Sequence, residues 1–246
     1  MLKYNNINIL FIFIVLIFVA LIFTSAIPWW SLLIVLFLYM IILVLGSVFI
    51  HLNFYTQSIT KLDDPNSILL TFDDGPDEKN TLKVLDLLDK YQAKAAFFLI
   101  GKQVEKYPEI VKEIYGRGHI IGNHSYSHSH WFDVFSVNRM LGEVIETNDL
   151  IERTIGENPL FFRPPFGVTN PRINSLINRS GMKSVAWSFR SLDGGSRPAE
   201  KIIENVKHKI KGGDILLFHD NRDKTLKILE VILPWLKERY QLNTKL

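Results

Sequence analysis

The sequence predicts an α/β domain, a mainly parallel sheet covered by helices, behind an N-terminal hairpin of two membrane-spanning helices. Three observations carry this. Lys3 is the only charged side chain from Met1 to Ile50, whereas charge recurs every few positions from Lys61 onward. In that second part short apolar runs alternate with stretches of helical spacing. Most of the residues able to do chemistry fall just after the apolar runs.

Ile9 to Ala26 is apolar apart from Thr24 and Ser25, and Leu32 to Ile50 is broken only by Tyr39, Gly46 and Ser47. Each run is long enough to cross a hydrocarbon core of about 30 Å at about 1.5 Å per residue. Between them Pro28 breaks the helix and Trp29 and Trp30 suit a lipid interface. Spans are therefore expected at about 9–26 and 31–50, within residues 1–52. The alternatives are a cleaved signal peptide for the first run and a buried core helix for the second. A signal peptide usually has an apolar region of about 7 to 15 residues behind several positive charges, and here one lysine precedes a longer run. A hairpin returns the chain to its starting side. Lys3 and Lys61 are both on that side and the turn has no charge, which slightly favours a cytoplasmic domain at the cell membrane.

Residues 53–66 are polar, end in Asp63, Asp64, Pro65 and Asn66, and read as a connector. The soluble domain is expected over 67–240, with a tail at 241–246. Its strands are expected at Ile68 to Phe72, Ala95 to Ile100, His119 to Gly122, Leu160 to Arg163, Ser184 to Phe189 and Ile215 to Phe218. Helical spacing runs over Thr81 to Tyr91, Val104 to Tyr115, Val137 to Ile155, Pro171 to Arg179, Pro198 to Ile210 and Thr225 to Tyr240. Glycines at 116, 118, 156, 181, 212 and 213 punctuate the ends. Such alternation gives a mainly parallel sheet, open or closed as a barrel.

The net charge of +3 is spread without a like-charge block, so no nucleic-acid partner is indicated. The absence of cysteine excludes disulfides, thiolate-bound zinc and a thiol nucleophile; any metal must sit on histidine and carboxylate. Asp73 and Asp74 follow the first strand, His124 and His128 the third, Asp193 the fifth, and His219 with Asp220 the sixth; Arg163 closes the fourth. All stand at the carboxyl ends of strands, where parallel α/β folds collect ligands and catalytic groups.

His124 and His128 are close enough in sequence to reach one ion, and a nearby carboxylate completes a His, His, carboxylate set that leaves room for water. A divalent metal in such a site acidifies the water and polarises a carbonyl oxygen. The plain alternatives are a polar loop for the histidines and a helix-capping turn for the aspartates. Adjacent aspartates can divide labour, one ligating metal and the other taking a proton, and His219 could protonate a departing amine.

The segments Thr71-Phe72-Asp73-Asp74-Gly75-Pro76, His124-Ser125-Tyr126-Ser127-His128, Arg163-Pro164-Pro165-Phe166-Gly167 and Leu217-Phe218-His219 resemble, in order and spacing, four motifs of the polysaccharide deacetylases. These enzymes carry a NodB-like domain and are also called carbohydrate esterase family 4. The resemblance covers about Ser67 to Tyr240. It implies a distorted (β/α) barrel of fewer than eight strands and a hydrolase that removes N-acetyl groups from amino sugars of a glycan or glycolipid. It implies Asp73 as general base, Arg163 orienting it, and one divalent ion on Asp74, His124 and His128, with zinc preferred and cobalt or another transition metal as alternatives. It further implies an oxyanion-stabilising amide at Phe166, Leu217 lining the acetyl pocket, His219 as general acid and Asp193 orienting it.

One motif departs. The family usually has tryptophan after the aspartate corresponding to Asp193, and here Gly194 follows; Trp187, Phe189 or Trp131 would have to supply the pocket wall. Arg190 stands where many relatives are acidic. Trp131 and Phe132 could form a sugar-stacking platform or pack in the core, while His51, His119, His130 and His208 read as non-catalytic. The partners implied are the lipid bilayer and an N-acetylated glycan or lipid-linked sugar. The cytoplasmic side would favour a lipid-linked sugar, although most such deacetylases act on external glycans. Rival readings are a deformylase or O-acetyl esterase on a lipid-linked sugar, a catalytically inactive glycan-binding module, and a membrane interaction protein.

Overall fold

The computed structural model describes residues 3–243 and residue 246, so residues 244 and 245 of the expected tail lie outside the described residues. Two N-terminal helices, α1 (Tyr4–Phe23) and α2 (Ser31–Val48), have mean hydropathies of 2.9 and 2.8 and are long and apolar enough to cross a membrane. They meet through Phe11 and Tyr39, whose rings stack at 3.8 Å, and the Tyr39 hydroxyl donates to Asn8 Oδ1 at 2.6 Å. That bond pairs two of their few polar side chains across the helices.

The rest is a curled, parallel half-barrel. Its strands are β1 (Ser58–Ile59), β2 (Ser67–Asp73), β3 (Ala95–Leu99), β4 (Ile120–Asn123), β5 (Phe161–Phe162), β6 (Lys183–Val185), β7 (Phe189–Arg190), β8 (Ile215–His219) and β9 (Gln241–Leu242). The order is β1-β6-β5-β4-β3-β2-β8-β7, with β9 pairing separately with β2. The span 67–240 supplies β2 through β8, fewer than eight strands; β1 comes from the connector and β9 from the tail. Helices α3 (Thr81–Lys90), α4 (Gly101–Lys106), α5 (Pro108–Gly116), α6 (Val137–Ile155), α7 (Pro171–Ser180), α8 (Ala199–Lys209) and α9 (Asp223–Lys237) connect the strands.

The period-two alternation of the central strands separates packing from chemistry. Ile68, Leu70 and Phe72 join Phe97, Phe218, Leu85 and Leu229 in the large core under the helices, where Phe72 and Phe97 stack at 4.9 Å. The intervening Leu69 lies in a second cluster inside the curl with Phe98, Val185 and Ile215. By the same alternation Thr71 and Asp73 face the interior. Register pairs Asp73 with His219 across β2 and β8, and Asn123 with both Leu99 and Phe162. Asp74, His124 and Arg163 each follow one of these strand ends, so one rim receives them all.

Two expected elements are divided. The helix expected over Val104 to Tyr115 breaks at Tyr107, and Pro108 opens α5 at the position where its missing N–H costs nothing. The strand expected over Ser184 to Phe189 separates into β6 and β7. Between them Ser188 donates its hydroxyl to Asp214 and accepts the Ile215 N–H, pulling the chain from one side of the opening toward β8.

Candidate active site and metal centre

Arg163 is fully buried at the end of β5. Its Nη1 donates to Asp73 Oδ1 at 2.7 Å and Thr71 Oγ1 at 2.8 Å, its Nε to the Val185 carbonyl at 3.1 Å, and its Nη2 to the Ala186 carbonyl at 2.8 Å. The Phe98 ring lies 4.1 Å away. A buried cation is tolerated when paired and hydrogen-bonded in this way.

The Arg163 carbonyl fixes a neighbouring histidine. His124 Nδ1 lies 2.7 Å from it, and because a carbonyl only accepts, that nitrogen carries the proton and leaves the Nε2 lone pair free. Burial, then the neighbouring His128, push the His124 imidazole down to about 3, holding it in the neutral form that ligates metals.

His124 Nε2 is 3.7 Å and His128 Nε2 3.4 Å from Asp74 Oδ1, and one ligand atom from each residue lies within 4.8 Å of the others. Bonds of about 2.0–2.1 Å to a tetrahedral zinc would set ligand atoms about 3.3 Å apart, so the two separations from Asp74 already suit a small divalent ion, and the cluster as a whole can close on one. Asp73 stands beside this set with one of its two oxygens committed elsewhere. Its Oδ1 is held by Arg163, and its Oδ2 lies 3.8 Å from His124 Nε2.

The loops are held in unusual backbone conformations. Asp74, Ser125, His128, Phe166 and Leu192 all have positive φ, between 47° and 74°. Strain of this kind persists where surrounding bonds over-determine it, and it gathers at functional sites. Here Asn123 Oδ1 accepts the Ser125 N–H at 2.8 Å, Ser125 Oγ accepts the His128 N–H at 3.1 Å, and the Ser127 hydroxyl donates to Glu143 at 2.8 Å.

Across the rim, His219 Nδ1 lies 2.8 Å from Asp193 Oδ1. Asp193 also accepts from the His219 N–H, Thr225 Oγ1 and Ser191 Oγ at 2.8, 2.6 and 2.8 Å. Burial alone would lower the His219 pKa, but the Asp193 hydrogen bond and charge, with Asp73 and Asp74 beyond, hold it above the ordinary histidine value. Burial would likewise raise Asp193, and His219, Thr225 and Ser191 outweigh it and keep its carboxyl below the usual range.

Leu217 is buried on β8, and Phe166 covers the histidine loop, its ring 4.7 Å from His128 and 5.1 Å from His130. A Cβ at Gly194 would stand 3.8 Å from the His219 ring, so a side chain at this position would flank the imidazole and glycine supplies none. Of the three aromatic candidates for a wall, Trp187 packs on Gly167 and lies 5.6 Å from Arg163, Phe189 joins the outer core, and Trp131 is exposed. Phe132 is buried in the cluster with Phe162, which removes it from the suggested sugar platform. His119 accepts the Ala95 N–H and is pushed down to about 4 by burial, a core role.

Sequence reasoning noted Asp220 without a role and passed over Ser191 and Thr225. Asp220 is fully buried and raised to about 7 by burial; its Oδ2 accepts from Thr81 Oγ1, and a Cβ at Gly75 would come within 2.3 Å of it. It ties the start of α3 to the end of β8 and packs closely against Gly75. Its place directly after His219 was the available signal.

Comparison with known proteins adds a family match, two relatives and two solved structures. Residues 61–185 match the family model described as polysaccharide deacetylase. A peptidoglycan-N-acetylglucosamine deacetylase of Bacillus cereus is 37% identical over 177 residues, 70% of this chain and 82% of that protein. The peptidoglycan-N-acetylmuramic acid deacetylase PdaC of Bacillus subtilis is 34% identical over 184 residues, 74% of this chain but 38% of that longer protein. The solved PdaC structure superposes with a TM-score of 0.68 at 33% identity, covering 72% of this chain and 87% of that one. A pseudoenzyme of carbohydrate esterase family 4 from Bacillus anthracis superposes at 0.67 and 25% identity, covering 72% and 62%. The family match ends at Val185, so Asp193 and His219 lie beyond it.

The expected division of labour between Asp73 and Asp74 has a direct test. Asp73→Asn is expected to retain close to one equivalent of zinc per chain and to lose turnover, whereas Asp74→Asn is expected to lose both. Metal analysis after gel filtration reads this, and equal zinc loss in the two variants would refute the division.

Proposed function

The chain belongs to the polysaccharide deacetylase family, hydrolases of carbon–nitrogen bonds other than peptide bonds, and on that premise we propose that it removes N-acetyl groups from amino sugars of a glycan or glycolipid. One observation carries the reading: the Asp74, His124, His128 cluster lies with Asp73, held by Arg163, and His219, held by Asp193, on the same rim.

In this mechanism Asp74, His124 and His128 hold one divalent ion, zinc first and cobalt or another transition metal as alternatives. Bound there, it would polarise the acetyl carbonyl and acidify a water. Asp73 takes a proton from the attacking water through Oδ2, since Oδ1 is occupied by Arg163. The Phe166 N–H donates to the developing oxyanion, and Leu217 lines the space for the acetyl methyl. His219 then gives a proton to the amide nitrogen. The carbon–nitrogen bond breaks, releasing acetate and a free amino sugar.

An inactive, glycan-binding relative would be expected to have lost a base, a ligand or the acid, and this chain keeps all of them. Deformylation or O-deacetylation would use the same residues, and the released acid separates these outcomes. α1 and α2 are read as two membrane spans, which puts the domain on the side of the N-terminus. Lys3 and Lys61 favour the cytoplasmic side; the relatives named for peptidoglycan favour an external glycan.

Acetate should be released from N-acetylglucosamine oligomers, stop on chelation and return with zinc or cobalt; turnover unchanged in metal-stripped protein would sink the mechanism. Because Asp193 raises the His219 pKa, the alkaline limb of the rate profile should lie above the ordinary histidine value. Asp193→Asn should move that limb to lower pH, and an unmoved limb would mean that His219 is not the proton donor. For the side of the membrane, Gln57 is exposed in the connector and the chain has no native cysteine. A Gln57→Cys variant should resist membrane-impermeant maleimide in intact cells, and rapid labelling would place the domain outside.

A further inference from the structure

The anchor is joined to the catalytic face rather than tethered at a distance. Only residues 49–57 separate α2 from β1, and they fold back on the helices. Thr169, buried two residues beyond Gly167, donates its N–H to the Ser47 carbonyl at 3.0 Å and its hydroxyl to the Gly46 carbonyl at 3.4 Å. The last turn of α2 is therefore bonded to the loop that also carries Arg163 and Phe166. Phe54 packs where a side chain on Gly46 would stand, and its carbonyl accepts the Tyr4 N–H at 3.0 Å. The Tyr55 hydroxyl donates to the Leu43 carbonyl at 3.2 Å. Both helix ends nearest the domain are thus fixed to one block.

That block extends along the rim of the site. Asn170 Nδ2 donates to the Asp133 carbonyl at 2.7 Å and Arg172 Nη1 to the Val134 carbonyl at 2.5 Å, which locks the loop after the histidines to the loop bonded to α2. On these two loops Trp131, Val134 and Phe166 are 69%, 52% and 41% exposed. Large apolar side chains next to a membrane anchor, with tryptophan among them, suit the interfacial layer of a bilayer.

We infer that the mouth of the active site is held at the membrane surface, with Trp131, Val134 and Phe166 at the lipid interface, and that the substrate is an N-acetylated amino sugar still attached to a membrane lipid. The inference rests on the deacetylase reading and narrows its substrate. A loosely tethered domain could roll outward to reach a distant polymer; a domain bonded to its anchor beside the catalytic loop meets sugars presented by the bilayer. Confinement to one surface then raises the effective concentration of a lipid-linked substrate over a free one.

The test uses the full chain in nanodiscs, with the same chitooligosaccharide either free in solution or carried on a polyprenyl diphosphate in the disc. Acetate release should be faster from the lipid-linked form by roughly tenfold or more. Val134→Asp, which puts a charge on the interfacial rim, should cut the lipid-linked rate several-fold and leave the soluble rate unchanged. Equal rates on the two substrates, or a Val134→Asp variant that loses both rates equally or neither, would overturn the inference while the deacetylase reading stands. No acetate from either substrate would overturn both.

Placement is read independently. A fluorophore on Val134→Cys should be quenched by spin-labelled lipid, and one on Leu160→Cys should not, since Leu160 is 66% exposed but precedes β5 at the opposite end of the sheet. Equal quenching at the two positions would overturn the placement.

Discussion

The site is organised around one buried guanidinium. Arg163 binds Asp73 through a side-chain nitrogen and His124 through its own carbonyl, so a single residue sets both the proposed base and a proposed ligand. This works only because β2 alternates. Phe72 fills the outer core, which turns Thr71 and Asp73 inward to the place where Arg163 arrives from β5. Removing one partner of such a buried pair typically costs about 3–5 kcal/mol, so base orientation and domain stability are coupled here.

A second charge pair sits across the rim with a different electrostatic character. His219 has a raised pKa, so its contribution to stability is present below the ordinary histidine value and is lost as pH rises through the folded-state value. Asp193 has a lowered pKa, so its contribution is present above the ordinary carboxylate value and is lost as pH falls through the folded-state value. Between those limits the pair is a charged imidazolium and carboxylate, the form a proton donor needs. His124 is pushed the opposite way, toward neutrality, as a ligand needs. Two histidines on one rim are thus set to different tasks by burial and partner.

Much of this was legible in the sequence because the informative residues obey position rules. Asp73, Asp74, His124, His128, Arg163, Asp193 and His219 stand at strand ends, and the structure brings those strand ends to one rim. The omissions have physical reasons. β1 and β9 are two residues long, too short to show alternation, and Pro108 divided a stretch whose apolar spacing reads as continuous helix. Ser191 and Thr225 act through single hydroxyls that no periodicity marks. The joint between α2 and Thr169 is built on the carbonyls of Gly46 and Ser47, and backbone acceptors leave no trace in side-chain identity.

The central claim is that Asp74, His124 and His128 hold the metal while Arg163 keeps Asp73 out of its coordination. X-ray absorption at the zinc edge of the loaded full-length protein tests this most directly. Scattering from two imidazole rings at about 2.0–2.1 Å together with oxygen donors is expected, unchanged by His130→Ala. A third imidazole that disappears in the His130→Ala variant, or a spectrum without two histidine rings, would contradict it.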